Sequence, residues 1–121
     1  MTKLEIIQEV LVDTYAKNPS LRAIENDLCQ YTTKDGRHCA IGMCMTAEMQ
    51  NIEDGHTNRN VIGLVGLYGD IDKVLLEKYH GHETSFWMGM QRFHDNSGNF
   101  NETGLSDLGK SALLDFQKVF I

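Results

Sequence analysis

Cys39 and His94 are the two residues of this sequence whose types are best suited to catalysis. A thiol becomes a strong nucleophile when a nearby base holds it as the thiolate, and histidine is the usual base. Asp95 directly follows His94, so on a helix its side chain should point away from its neighbour and orient that ring poorly. We therefore expect at most a Cys39–His94 dyad, and the commoner role of such a cysteine is a buried core residue.

A polar ligand pocket is a second kind of site that the sequence could build. Six residues offer a fork of donors, a stacking surface or paired acceptors: Arg37, His38, Trp87, Gln91, His94 and Asp95. Nothing in the sequence forces these side chains to converge, because an exposed turn and a helix edge hold the same residue types.

Metal and nucleotide sites have weaker support. His80 and His82 lie close together, but their spacing is not that of two ligands on one helix face, and no Cys-x-x-Cys pair accompanies them. The glycine-rich stretch 61–69 lacks the Gly-x-Gly-x-x-Gly fingerprint of dinucleotide binding. We expect no metal and no cofactor, and we predict a short helix in this stretch with Val61 and Leu64 on its apolar face.

Residues 29–45 should position the thiol as part of a β-hairpin. The sequence at 33–37 favours a tight turn, because its Asp-Gly pair suits left-handed backbone. A three-residue loop with a glycine bulge pairs Cys29 with Ile41 and puts the apolar side chains on one face. The alternative two-residue loop does not segregate them in this way.

Helical spacing of apolar residues predicts the remaining elements. Thr2 and Glu5 form a capping box before a helix at about residues 3–17, which Pro19 ends. Further helices are expected at 61–68, after Asp70 or Asp72, at 83–95, and after Ser106. The predicted fold class is α+β, a small antiparallel hairpin or sheet packed with four or more α-helices, in one domain that spans residues 1–121.

Composition and charge restrict the partners. The net charge of −6 argues against nucleic-acid binding, which needs a basic surface. No apolar run approaches the roughly 20 residues that span a bilayer, so we expect no membrane association. Three cysteines, an odd number, suit a reducing cytoplasm. Homo-oligomerisation stays open.

Four short motifs follow one another along the chain: Cys29-x-Tyr31, Gly36, Cys39-Ala40-Ile41-Gly42 and Gln91-x-x-His94-Asp95. In this order and at similar spacing, they resemble the motifs of an uncharacterised family of small bacteriophage and bacterial proteins. The resemblance covers residues 25–110, except the glycine-rich stretch 61–69, which departs from the family pattern. It implies a phage or prophage context, with action in the host cytoplasm during infection, and it implies no particular activity.

These observations favour a non-catalytic accessory protein of phage type. Such a protein would bind a host protein or a small signalling ligand, in host takeover or counter-defence. One alternative is a thiol-dependent hydrolase or transferase that uses Cys39 with His94. Another is a structural virion component that assembles through its helices.

Overall fold

Helices make up most of the described part of the chain, and five of them are α-helices. The computed structural model describes residues 1–25, 28–29, 36–52 and 60–120. The α-helices are α1 (Lys3–Ile7), α2 (Ala47–Ile52), α3 (Val61–Tyr68), α4 (Thr84–Asp95) and α5 (Asp107–Lys118). Single turns of 3₁₀ helix lie between them, at Pro19–Leu21, Gly42–Cys44, Ile71–Lys73, Glu77–Tyr79 and Ser97–Asn99.

Helix α1 begins with the predicted capping box. The hydroxyl of Thr2 accepts a hydrogen bond from the backbone N–H of Glu5, and the Glu5 carboxylate accepts one from the backbone N–H of Thr2. The helix continues without a break as a π-helix over Gln8–Ala16. Pro19 occupies the first position of the following 3₁₀ turn, where its missing N–H costs nothing. The predicted first helix is therefore confirmed.

The predicted β-hairpin is wrong in the part that the structure describes. Cys29 pairs with Ile24 and not with Ile41, in an antiparallel pair of two-residue strands, β1 (Ile24–Glu25) and β2 (Leu28–Cys29). Residues 39–44 form a turn that leads into the 3₁₀ helix Gly42–Cys44. Of the predicted tight turn at 33–37, the structure describes Gly36 and Arg37, and Gly36 has the expected left-handed backbone with φ +84°. The rest of the turn and most of the first predicted strand lie outside the described residues. Because the β pair is too short to form a layer, the fold class is all-α and not α+β.

The turn at residues 39–44 differs from the prediction because it is buried on both sides. Cys39, Ala40, Ile41 and Cys44 are all fully buried. A short run that is apolar at every position fits a buried strand and a buried turn equally well, so periodicity cannot separate them. The Cys39 thiol then accepts a hydrogen bond from the Gly42 N–H at 3.2 Å, at the start of the 3₁₀ helix.

Helix α4 lies at the centre of the core. Its predicted apolar stripe is buried, and so are the residues that flank the stripe. The ring of Phe86 meets the rings of Trp87, Phe116 and Phe120 at centroid distances of 5.2, 6.1 and 5.2 Å. Helix α4 also contacts α3 and the π-helix Gln8–Ala16. Because α4 is fixed on several sides, its polar side chains have fixed positions at the surface of the core.

Helix α5 begins at the predicted N-cap. The Ser106 hydroxyl accepts a hydrogen bond from the Gly109 N–H at 3.0 Å. Gly109 lets the start of α5 pack closely against the backbone at Asn99, since a Cβ at this position would lie 2.0 Å from the backbone oxygen of Asn99. The helix covers the core with one side only, and its Leu108 and Leu114 side chains face solvent.

Of two further helix predictions, the one at 61–68 is confirmed and the one after Asp70 or Asp72 is wrong. Helix α3 is confirmed, with Val61 and Leu64 buried and Asn60 as its N-cap. Asp70 also caps the next element through its carboxylate, which accepts from the Asp72 N–H at 3.0 Å. That element is two separate 3₁₀ turns and not one helix.

Candidate functional site

His94 lies fully buried near the end of α4, between two neighbours that fix its ring. The Nδ1 atom is 2.8 Å from Asp95 Oδ1, and the ring of Tyr15 meets the imidazole edge-on at a centroid distance of 4.8 Å. The expectation that Asp95 orients the ring of its neighbour poorly is therefore wrong. Asp95 is the last residue of α4, where its side chain can turn back toward the preceding ring.

Asp95 is held by a second donor on the same helix. Its Oδ1 atom accepts a hydrogen bond from Gln91 Nε2 at 2.7 Å, across the i, i+4 spacing that places two side chains on one helix face. The other end of the Gln91 amide, Oε1, accepts from the backbone N–H of Ile41 at 3.4 Å. Gln91 thus joins the end of α4 to the turn at residues 39–44.

The two described thiols are poorly placed for catalysis. Cys39 and Cys44 are both unpaired with another cysteine and fully buried in the hydrophobic core. Burial raises the pKa of the Cys44 thiol to about 12, so this thiol stays protonated at neutral pH. A fully buried Cys39 cannot meet a dissolved substrate unless the turn opens.

Arg37 and His38 line a cavity of about 220 Å³, and Tyr15 and Met43 form part of the same wall. The Tyr15 hydroxyl donates to the carbonyl of His38, and Arg37 Nη1 donates to the carbonyl of Arg22 at 2.9 Å. The first bond holds the 36–38 segment against the π-helix Gln8–Ala16, and the second holds it against the chain at Arg22. Their arrangement fits a role in the fold.

A larger cleft of about 410 Å³ lies between the start of α3 and the second half of α4. Two of the predicted ligand-binding residues, Gln91 and Asp95, line it together with residues that sequence reasoning missed. The missed residues are Asn60, Val61, Ile62, Met88, Arg92 and Asn96. The i, i+4 spacing of Met88 and Arg92 on α4, with Asn96 as its C-cap, would have revealed which residues this helix gives to the cleft. Which residues α3 gives depends on how the two helices pack.

The six predicted ligand-binding residues therefore do not form one pocket. Gln91 and Asp95 line the cleft of about 410 Å³, and Arg37 and His38 line the smaller cavity. His94 is buried beside Asp95. Trp87 is core, packed against Phe86 and edge-on to Tyr79.

The charged groups of the cleft are available to a ligand. Asp95 uses Oδ1 for Gln91 and His94, while its Oδ2 atom accepts from none of the described residues, and the side chain is 39% exposed. The exposed Arg92 guanidinium has no hydrogen-bond or ion-pair partner in the described part of the chain. The cleft thus offers one free acceptor and one free fork of donors.

The described residues give no sign of a metal or of a membrane span. Across residues 1–25, 28–29, 36–52 and 60–120, no three His, Cys, Asp or Glu side chains are grouped to hold an ion. Within the same ranges, no helix has the length and apolar character needed to cross a bilayer.

Comparison with known proteins adds no further constraint on the site. Protein-family models, curated protein sequences and solved structures were all compared with the chain, and none of them matches it.

Proposed function

We propose that this protein acts by binding a small polar ligand, without catalysis, in the cleft between α3 and α4. The observation that carries the proposal is the set of uncommitted groups in that cleft, Arg92 and Asp95 Oδ2, beside apolar walls from Val61 and Met88. A volume of about 410 Å³ lies within the roughly 300–1,000 Å³ typical of small-molecule sites.

The biological setting is also part of the proposal. The resemblance to small phage proteins favours an accessory protein that acts in the host cytoplasm, in host takeover or counter-defence. A small signalling ligand fits the cleft better than a host protein does, because the uncommitted groups lie in a concavity and not on a flat surface.

The thiol-dependent alternative has less support. Its favourable feature is the Asp95 carboxylate that orients His94. Against it, the proposed nucleophile Cys39 is fully buried and already accepts the Gly42 N–H, which helps to stabilise the turn at residues 39–44. A structural virion component, which would assemble through its helices, is supported only by the solvent-facing Leu108 and Leu114 side chains of α5 among the described residues.

A cleft-filling variant tests the proposal. The full chain is screened by thermal shift against a metabolite panel, because a ligand that binds only the folded state raises the melting temperature. Ile62→Trp should fill the cleft and abolish the shift caused by any hit. Leu67→Trp is the matched control, since both residues lie on α3 with exposures of 57% and 56%, but only Ile62 lines the cleft.

The outcomes separate clearly. A hit that Ile62→Trp abolishes and Leu67→Trp keeps supports binding in the cleft. A hit that survives Ile62→Trp means that the ligand binds elsewhere, and a panel with no hit at millimolar concentration contradicts the proposal.

A further inference from the structure

Arg92 and Asp95 carry opposite charges one helical turn apart, yet they form no ion pair with each other. Residues at i and i+3 on a helix are neighbours, and opposite charges at this spacing usually attract. Here Gln91 and His94 donate to Asp95 Oδ1 at 2.7 and 2.8 Å and hold the carboxylate in another direction. The two charges are thus held apart while both line the same cleft.

The remaining polar groups of the cleft are donors. Asn60 Oδ1 accepts from the Gly63 N–H, and Asn96 Oδ1 accepts from the Gly98 N–H. The Nδ2 groups of both amides have no acceptor among the residues that the structure describes. Together with Arg92 they suit an acceptor-rich anionic group, while Asp95 Oδ2 suits a single cationic donor.

From this arrangement we infer that the ligand is a zwitterion, a free amino acid with an apolar side chain. Its carboxylate would meet the Arg92 guanidinium, its ammonium would meet Asp95 Oδ2, and its side chain would lie against Val61, Ile62 and Met88. This inference rests on the proposed function and names the ligand class for the same cleft.

Charge balance favours a zwitterion over a phosphate ester. One guanidinium and one carboxylate give the cleft no net charge, which complements a ligand that is neutral overall but carries both signs. A nucleotide phosphate would face Asp95 as well as Arg92, in a protein whose net charge is −6. The like charge would oppose its binding.

Calorimetric titrations of the full chain test the inference directly. The probes are L-leucine and L-phenylalanine, with N-acetyl-L-leucine to remove the ammonium charge and L-leucinamide to remove the carboxylate. Each analogue should bind at least about tenfold more weakly than L-leucine, because a hydrogen bond to a charged group is lost.

A variant without the guanidinium locates the contact. Arg92→Gln should weaken L-leucine binding roughly tenfold and bring L-leucinamide close to L-leucine in affinity. Lys110→Gln is the control, because it removes an exposed positive charge on α5, outside the cleft, and should leave both affinities unchanged.

Three results overturn the inference. If L-leucine and both analogues bind equally, or if only a nucleotide binds, the zwitterion is wrong. The proposed function still stands in both cases when Ile62→Trp abolishes the binding. If no probe binds at millimolar concentration and the metabolite panel also gives no hit, both fail together.

Discussion

The turn at residues 39–44 and the cleft beside Asp95 lie on either side of Gln91, and they use their polar groups in opposite ways. In the turn, the Cys39 thiol accepts the Gly42 N–H, Gln91 accepts the Ile41 N–H, and Gln50 Nε2 donates to the Gly42 carbonyl at 2.8 Å. In the cleft, Arg92 and Asp95 Oδ2 have no partner among the described residues.

This difference shows that residue type alone does not identify a site. Cys39 has the most reactive kind of side chain in the chain, but it is fully buried and its thiol already accepts a hydrogen bond from the Gly42 N–H. Arg92 has no special reactivity, but it is exposed, unpaired within the described residues and part of a concavity. Availability to a ligand separates the two regions, and mutations can test it.

The largest expected effect comes from truncating an isoleucine in each region. Ile41→Ala removes a fully buried side chain from the turn and should lower the free energy of unfolding by about 2–5 kcal/mol. Ile62→Ala removes an exposed side chain from the cleft and should change it by less than about 0.5 kcal/mol. Urea unfolding of both variants measures the contrast, and equal losses would show that the cleft wall is also part of the core.

Gln91 links the two regions, so its removal should have an intermediate effect. Gln91→Leu leaves the buried Ile41 N–H without its acceptor and takes one donor from Asp95, which should cost about 1–3 kcal/mol of unfolding free energy. Arg92→Gln, one residue along the same helix, should cost less than about 0.5 kcal/mol. A Gln91→Leu variant as stable as the wild type would mean that the link contributes nothing.

The smallest expected effect is in thiol reactivity, where we expect no change until the protein unfolds. In a Cys29→Ser background, iodoacetamide at about pH 9 should modify neither Cys39 nor Cys44 in the folded protein. Both thiols are buried, and the pKa of Cys44 is raised to about 12 by that burial, so ionisation does not activate it. Mass spectrometry before and after denaturation in urea counts the adducts.

The opposite result would revive the enzyme hypothesis. Rapid alkylation of Cys39 in the folded protein, slowed by His94→Ala, would show that the turn opens and that the histidine activates the thiol. His80→Ala is the control, because His80 lies on the surface and its Nε2 atom contacts the Leu75 carbonyl.

Most helix positions could be predicted from local chemistry. The Thr2 capping box, the Ser106 N-cap and the apolar stripe of α4 each depend on residues within a few positions of one another. Such signals act through short-range hydrogen bonds and one buried face, so they survive whatever the rest of the chain does.

The candidate site could be predicted only in part. Gln91 and Asp95 do line one cleft, since they lie one turn apart on α4, and their role in binding a ligand stays a prediction. Arg37, His38 and Trp87 do not join them there, because the first two line another cavity and Trp87 is buried in the core. The distance between elements is not encoded in spacing along the chain.

The sequence by itself determined where the main helices begin and which side of α4 is buried, since capping and periodicity are local. Only the tertiary structure decided that residues 39–44 form a buried turn and that the start of α3 lies beside Arg92 and Asp95 to form a cleft. The physical reason in the first case is that an all-apolar segment is compatible with either a buried strand or a buried turn, so its contacts with the rest of the core decide the conformation.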